Sequence, residues 1–430
     1  MKNLIRLFGA VALIATTPAP AQYRGDEPVA VPTAVRQGID FVYVDPQMST
    51  VARKRQRPQN WLARMFSGDG GGTGRQGAPH PMFVDLARGL QQYQADWGRL
   101  PQTKIPAGAA MKRGSTGKRV AALRTRLGLA PIGGYDEQLF SRVAAYQQVH
   151  GLGPGDGIAG KATIASLNQG AVHYARRIAI NMERAYRLPV ARTFNRYVVV
   201  DSGAAETYLF DRDRRVDSMR VIVGSAKTKT PMMAVLMRNA KANPYWHVPP
   251  EMVRSLTAAK VKEMGIGYFD QFHYEVMSDW SANRRPIDPK TVNWNAIASG
   301  KLKPSIMVRQ QPGPWNSMGA MKFEMPNDFG IYLHDTPLKE KFAGDRWISN
   351  GCVRLEDYRR FGSWVFGRMP EPGPTPEQVI PLPQPVPIYM TYLTVAAGPG
   401  GVMFRPDPYG FDALAMPQMF GPANRIASAI

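Results

Sequence analysis

Residues 331–355 read I-Y-L-H-D-T-P-L-K-E-K-F-A-G-D-R-W-I-S-N-G-C-V-R-L. The stretch holds the only cysteine of the 430 residues, Cys352, and a histidine, His334, eighteen positions upstream. A thiol becomes a nucleophile when a base takes its proton and N–H groups stand ready to hold an oxyanion. This stretch can supply both the base and the N–H groups. Ser349, Asn350 and Gly351 lead directly into the thiol. A lone cysteine is more often buried filler, but small polar residues before Gly-Cys suit a turn that exposes the side chain.

The N-terminus bears on how that cysteine is read. Lys2 and Arg6 open a basic start, residues 7–15 are apolar, and Ala19-Pro20-Ala21 fits an A-x-A cleavage site. This is the pattern of a secretory signal over residues 1–21. The apolar run is shorter than the about 20 residues a spanning helix needs, and no later segment is apolar enough to span. An exported chain with one cysteine forms no internal disulfide. The net charge is +21, or about +19 without Lys2 and Arg6. Such a balance favours an anionic partner. Export disfavours nucleic acid, which leaves an anionic wall polymer or a membrane surface.

Residues 22–76 read as a disordered linker, rich in Pro, Ala, Gln and Gly, with the basic run Arg53-Lys54-Arg55-Gln56-Arg57. Too little apolar surface is present there to offset the entropy of ordering. One exception is Phe41-Val42-Tyr43-Val44, which suits a docking strand or a binding segment. Residues 82–97 carry helical spacing through Phe83, Leu86, Leu90, Tyr93 and Trp97. Residues 112–168 make a unit of three short helices with apolar faces at Val120, Leu123, Leu127, then Leu139, Val143, Tyr146, then Ile164, Leu167. Lys112, Arg113, Lys118, Arg119, Arg124 and Arg126 give it a basic surface, and His150 reads as a helix-end residue beside the stop Gly151. Another helix is expected over 172–186.

Past Asn195 the apolar period shifts from 3.6 to 2. Strands are expected at 197–200, 207–210, 219–223 and through 235–248. Residues 251–310 interrupt them with a helical start and then aromatics among polar residues (Tyr268, Phe269, Phe272, Tyr274, Trp280, Trp294). An insertion that long between strands is a lid or binding loop, or else an excursion with its own small core. Residues 370–387 are Pro-rich and extended, 387–395 return to strand character, and 415–430 carry no clear signal.

Two resemblances follow. The unit at 112–168 resembles the small three-helix peptidoglycan-binding domain through R-G-S-T-G-K-R-V-A-A-L, A-Y-Q-Q-V-H-G-L and D-G-I-A-G-K-A-T-I-A-S-L-N. Five further blocks, K-T-P (229–231), N-P-Y-W-H-V-P-P (243–250), Q-P-G-P-W-N (311–316), I-Y-L-H-D-T-P (331–337) and S-N-G-C-V-R (349–354), resemble the L,D-transpeptidases of the YkuD type. The likeness is to their large form, with a peptidoglycan-binding domain and an inserted capping loop, and covers about residues 82–410.

The resemblance implies an α+β multidomain chain. A mostly-β L,D-transpeptidase catalytic domain (191–396, capping loop 251–310) is preceded by a helical scaffold (77–190) that includes the three-helix domain. It is followed by a tail over 397–430. By position, Cys352 is the nucleophile and His334 the general base, oriented by a main-chain carbonyl near Asp335. Gly351 and Cys352, with Asn350, supply oxyanion N–H groups. Ser349, Arg354, Tyr332 and Trp246 are substrate-side candidates. Asn350 departs from the family, which usually has a second histidine there. The implied reaction is periplasmic acyl transfer on peptidoglycan stem peptides, with no metal and no cofactor. A tetrapeptide donor forms a thioester and a second stem resolves it into a 3→3 cross-link. Water as acceptor makes the enzyme an L,D-carboxypeptidase, and an amine of an outer-membrane protein acceptor makes it a tethering enzyme. A non-catalytic scaffold that binds glycan strands is the reading from another class.

Overall fold

Helix-forming segments with one apolar stripe need a partner surface, and here much of that surface is a sheet. A computed structural model describes residues 35–37, 41–44, 48 and 78–421. The expected signal over 1–21, most of the expected linker and residues 422–430 lie outside the described residues. Within the stretch read as linker, β1 (Val35–Gln37) and β2 (Phe41–Tyr43) pair as an antiparallel hairpin. The strand at 41–43 is the docking strand that Phe41–Val44 suggested, since it pairs with a neighbouring strand, and only the strand at 35–37 departs from the linker expectation.

The helical part comprises α1 (Pro81–Tyr93), α2 (Lys118–Arg126), α3 (Glu137–His150), α4 (Lys161–Gln169) and α5 (Ala171–Ala185). Helix α3 starts where Asp136 accepts from the Leu139 N–H at 2.9 Å and stops at Gly151 in the left-handed region. Leu139 and Val143 are fully buried, so truncating Leu139 to Ala costs about 2–5 kcal/mol. His150 stacks on Tyr146 and bonds Tyr93 Oη at 3.0 Å, a structural role. The basic surface is smaller than the sequence suggested. Arg124 and Arg126 are buried struts, Arg126 donating to the Leu167 and Pro101 carbonyls and Arg124 to Ala130 O and Asp136.

The rest of the chain builds a closed barrel. Strands β3 (Arg196–Asp201), β4 (Glu206–Asp211) and β5 (Arg214–Gly224) form an antiparallel meander. Strand β6 (Met233–Ala242) takes β2 alongside one half, in parallel. An insertion follows, carrying β7 (Trp246–Val248), β8 (Tyr274–Met277), β9 (Pro286–Ile287) and β10 (Met307–Gln310). The chain returns as β11 (Met321–Glu324), β12 (Leu333–His334), β13 (Trp347–Ser349), β14 (Val353–Leu355) and β15 (Gln378–Thr391). Strand β15 pairs with both β3 and β6, which closes the ring β6-β11-β12-β14-β5-β4-β3-β15.

Alternation along β3 explains why its sequence is an unbroken apolar run. Val198 and Val200 join the apolar cluster that also holds β6, β11 and β14 side chains, whereas Tyr197 and Val199 join the cluster under the helices. The Pro-rich segment is extended as expected, and from Gln378 it is the strand that shuts the barrel. Its register breaks between Pro381 and Val386, where prolines cannot donate to the ladder.

The insertion has its own four-stranded sheet, β7-β10-β8-β9, and its own cluster around Val248, Val253, Phe269, Trp294 and Val308. Residues read as a tail are also structured through Phe420. Strands β16 (Val395–Gly398) and β17 (Gly401–Phe404) pair as a hairpin, and the last helix is Phe411–Phe420. Asp412 of that helix ties Arg177 at 3.0 Å and Arg184 at 2.6 Å to the C-terminal segment, and Asn181 caps the Thr394 N–H at 2.7 Å. Among the described residues no helix is long and apolar enough to cross a membrane.

Candidate active site

Strand pairing brings the separated residues of 331–355 together. Strands β12 and β14 are parallel neighbours, with His334 opposite Arg354. Opposed residues project from one sheet face, and period two sets Tyr332 on the face of His334. Cys352 enters β14 from the turn at 349–352.

His334 is buried. Its Nδ1 lies 2.5 Å from the Asp335 carbonyl. A carbonyl only accepts, so Nδ1 carries the hydrogen and Nε2 is left as the basic atom. Burial, with the charges of Arg354 and Lys322 beside it, holds the imidazole down to about 3, against hydrogen bonds to the main chain of Asp335 and Met318. The ring is therefore neutral near pH 7. The Asp335 carboxylate faces away from this role. It accepts from the Ala320 N–H at 2.9 Å and pairs with Lys339 at 2.8 Å.

Cys352 is half-buried, and its Sγ lies 3.6 Å from the Gly330 carbonyl. Desolvation pushes the thiol up, while the Tyr332 main chain, Lys322 and Arg354 pull it down.

The turn before the thiol is held from two sides. Ser349 is buried, with Oγ donating to Cys352 O at 2.6 Å and accepting from the Gly351 N–H at 3.2 Å. Gly351 has φ +109°, and a Cβ there would sit 2.9 Å from Ile331 Cδ1. From the other side, the Ser349 carbonyl accepts from Ser225 N (2.9 Å) and Thr228 Oγ1 (2.8 Å), and the Gly351 carbonyl accepts from Thr230 Oγ1 (2.7 Å). A trans peptide points its N–H opposite its C=O. Fixing those two carbonyls toward the 225–230 loop turns the N–H groups of Asn350 and Cys352 the other way. Among the described residues neither N–H has an acceptor, whereas the Gly351 N–H is taken by Ser349.

Tyr409 completes the brace. Its hydroxyl donates to Gly224 O at 2.6 Å and accepts from Thr230 N at 3.3 Å. Arg354 is largely buried, its Nε without an acceptor among the described residues. Burial lowers its pKa, and the neighbouring thiol opposes that. Tyr332 lies beneath Lys322, whose Nζ is 3.7 Å from the ring centre. Asn350 is exposed.

Trp246 is placed elsewhere. It sits in β7, opposite Gln310 and packed against the insertion's own cluster. No ring contact or hydrogen bond joins it to Cys352 or His334 among the described residues. Sequence reasoning missed Lys322, Thr230 and Tyr409. Thr230 lies inside the K-T-P block, so a signal existed for it. Lys322 looks like any solvent-facing strand residue, and Tyr409 stands in a stretch with no pattern.

Residues 195–367 match the family description YkuD, L,D-transpeptidase catalytic domain. The closing strand β15 lies past the matched residues. A Haemophilus influenzae protein named "Putative L,D-transpeptidase" is 28% identical over 247 residues, 55% of this chain and 48% of that protein. The chain therefore spans about half the length of this curated relative. A solved L,D-transpeptidase from Mycobacterium smegmatis is 12% identical, covering 46% of this chain and 58% of that one with a TM-score of 0.23. One from Xylanimonas cellulosilytica is 16% identical, covering 66% and 98% with a TM-score of 0.18. TM-scores that low add nothing to the fold described above.

Proposed function

We propose that the protein is a periplasmic, cysteine-dependent L,D-transpeptidase acting on peptidoglycan stem peptides. One observation carries the reading: a neutral imidazole, locked through Nδ1, shares a sheet face with the residues flanking a single thiol in a braced Gly-Cys turn. His334 Nε2 takes the Cys352 proton. The thiolate attacks the amide that follows the third residue of a tetrapeptide stem. The N–H groups of Cys352 and Asn350 hold the oxyanion, each such donor being worth about 2.7–4 kcal/mol of barrier. Collapse expels the terminal D-Ala, its nitrogen protonated by His334, and leaves a thioester. An amine of a second stem then attacks, His334 again taking a proton, and a 3→3 cross-link forms with the thiol restored.

Asn350 in place of the family histidine does not remove the base, because His334 supplies it. The insertion at 251–310 serves as a lid that keeps water from the thioester. Its self-contained core supports motion as a unit. Residues 112–168 orient the enzyme on glycan strands through Lys112, Arg113 and Lys118, which are exposed.

The test is purified protein incubated with tetrapeptide stems and read by product mass. Dimers that have lost one D-Ala are expected. Free tripeptide alone makes the enzyme a carboxypeptidase. Cys352→Ala is expected to fold and make neither, and turnover by that variant would overturn the nucleophile assignment.

A further inference from the structure

Strand register sets a row of charge beside the thiol. Lys241 of β6 stands opposite Lys322 of β11, Lys322 opposite His334 of β12, and His334 opposite Arg354 of β14. Directly opposed residues share a face, so three cations and the imidazole run side by side across four neighbouring strands. Both Lys322 and Arg354 act electrostatically on Cys352 and on His334.

Protein carboxylates answer only part of this charge. Glu324 lies 3.5 Å from Lys241 and 3.5 Å from Lys322, so one carboxylate is shared between two ammonium groups. Glu377 reaches Lys241 at 3.7 Å. Arg354 has no ion pair among the described residues, and its Nε is buried without an acceptor. A cation held from water without a partner is costly, and an arriving anion relieves that cost. A guanidinium beside an ammonium suits a carboxylate.

We propose that Lys322 and Arg354 form a carboxylate subsite that takes the free terminal carboxylate of the donor stem, on the leaving side of the scissile amide. This rests on the acyl-transfer reading above and names the end group that reading requires. The subsite selects stems ending in a free acid over stems ending in an amide. It also links binding to chemistry. A bound carboxylate cancels charge that opposes protonation of His334, so the base gains proton affinity when the donor is seated.

The experiment uses the full chain carrying Cys352→Ala, with binding of a tetrapeptide stem and of its C-terminal carboxamide measured by calorimetry. The acid is expected to bind roughly 10- to 100-fold tighter, the span of a charge-assisted hydrogen bond. Adding Lys322→Met, which keeps the side-chain length, removes most of that preference, and Lys322→Arg restores it. Equal binding of acid and amide, no binding of either, or a preference untouched by Lys322→Met overturns the subsite. Thioester formation by the parent protein on both stems is followed in parallel by intact mass. Preferential acid binding with no thioester on either stem keeps the subsite and sinks the transferase reading. Thioester formed equally on both stems, with equal binding, does the reverse.

Discussion

Replacing Thr230 by Val tests whether the loop beside the thiol sets the oxyanion donor. Thr230 is fully buried, and its hydroxyl donates to Gly351 O at 2.7 Å while accepting from Gly224 N at 2.9 Å. Valine keeps the shape and removes both bonds. Each buried group left without a partner costs about 1–3 kcal/mol, so the two together cost about 2–6 kcal/mol of stability. The catalytic effect has a separate origin. The Gly351 carbonyl and the Cys352 N–H belong to one peptide plane, so the Thr230 bond aims that N–H. Gly351 at φ +109° has the freedom to let the plane turn once released. Losing one oxyanion donor slows acylation by roughly 100- to 1,000-fold. Thioester formation would be followed by intact mass, with thermal unfolding as the stability readout. Alkylation of Cys352 by iodoacetamide needs a thiolate but no oxyanion hole, so it should change little. Thr230→Ser should recover most of the acylation rate. A Thr230→Val protein that acylates at the parental rate, or one in which alkylation and acylation fall together, would refute the reasoning.

Gly351→Ala forces a side chain into a left-handed conformation and against Ile331, 2.9 Å away, at a cost of about 1–3 kcal/mol. Acylation should fall far more than solubility or secondary structure, as read by mass and circular dichroism. Asn316 is buried, its amide within reach of the carbonyls of Pro244, Gln310 and Gln311, which flank the insertion. Asn316→Ala should loosen that base and raise the ratio of free tripeptide to cross-linked product, and an unchanged ratio counts against the lid. Stability should also rise with pH between about 4 and 6. His80, His150 and His334 are each held down to about 3, so the stability they confer is lost as pH falls below their ordinary value. Asp201 is raised to about 6 and opposes them. His173 is lowered by burial as well, so the imidazoles outnumber the one opposing carboxyl, protons are taken up on unfolding, and stability rises with pH. A flat urea-midpoint profile over that range would contradict it.

The sequence by itself determined much of the local structure and singled out the two candidate reacting residues. Period two after Asn195 named β3 to β6, because a strand must alternate its faces whatever it packs on. Helix α3 was legible through Asp136, its apolar stripe and Gly151, since caps and stripes are local. Cys352 and His334 stood out because the chain has one thiol and a histidine in a block of recognisable order. The three-dimensional fold decided what lies beside them. The pairing of β12 with β14, and of β11 with β12, sets Lys322 and Arg354 alongside the imidazole, and Lys322 itself lies in none of the quoted sequence blocks. Tyr409 braces a loop 179 residues earlier in the chain. Arg124 and Arg126 looked like a basic surface and are internal struts, because a guanidinium can be buried where carbonyls at helix and loop ends await donors. Strand closure by β15 likewise depends on a partner far away in sequence. Such features rest on which backbone groups find one another across the fold, and hydrophobic pattern and turn chemistry act only over a few neighbouring residues.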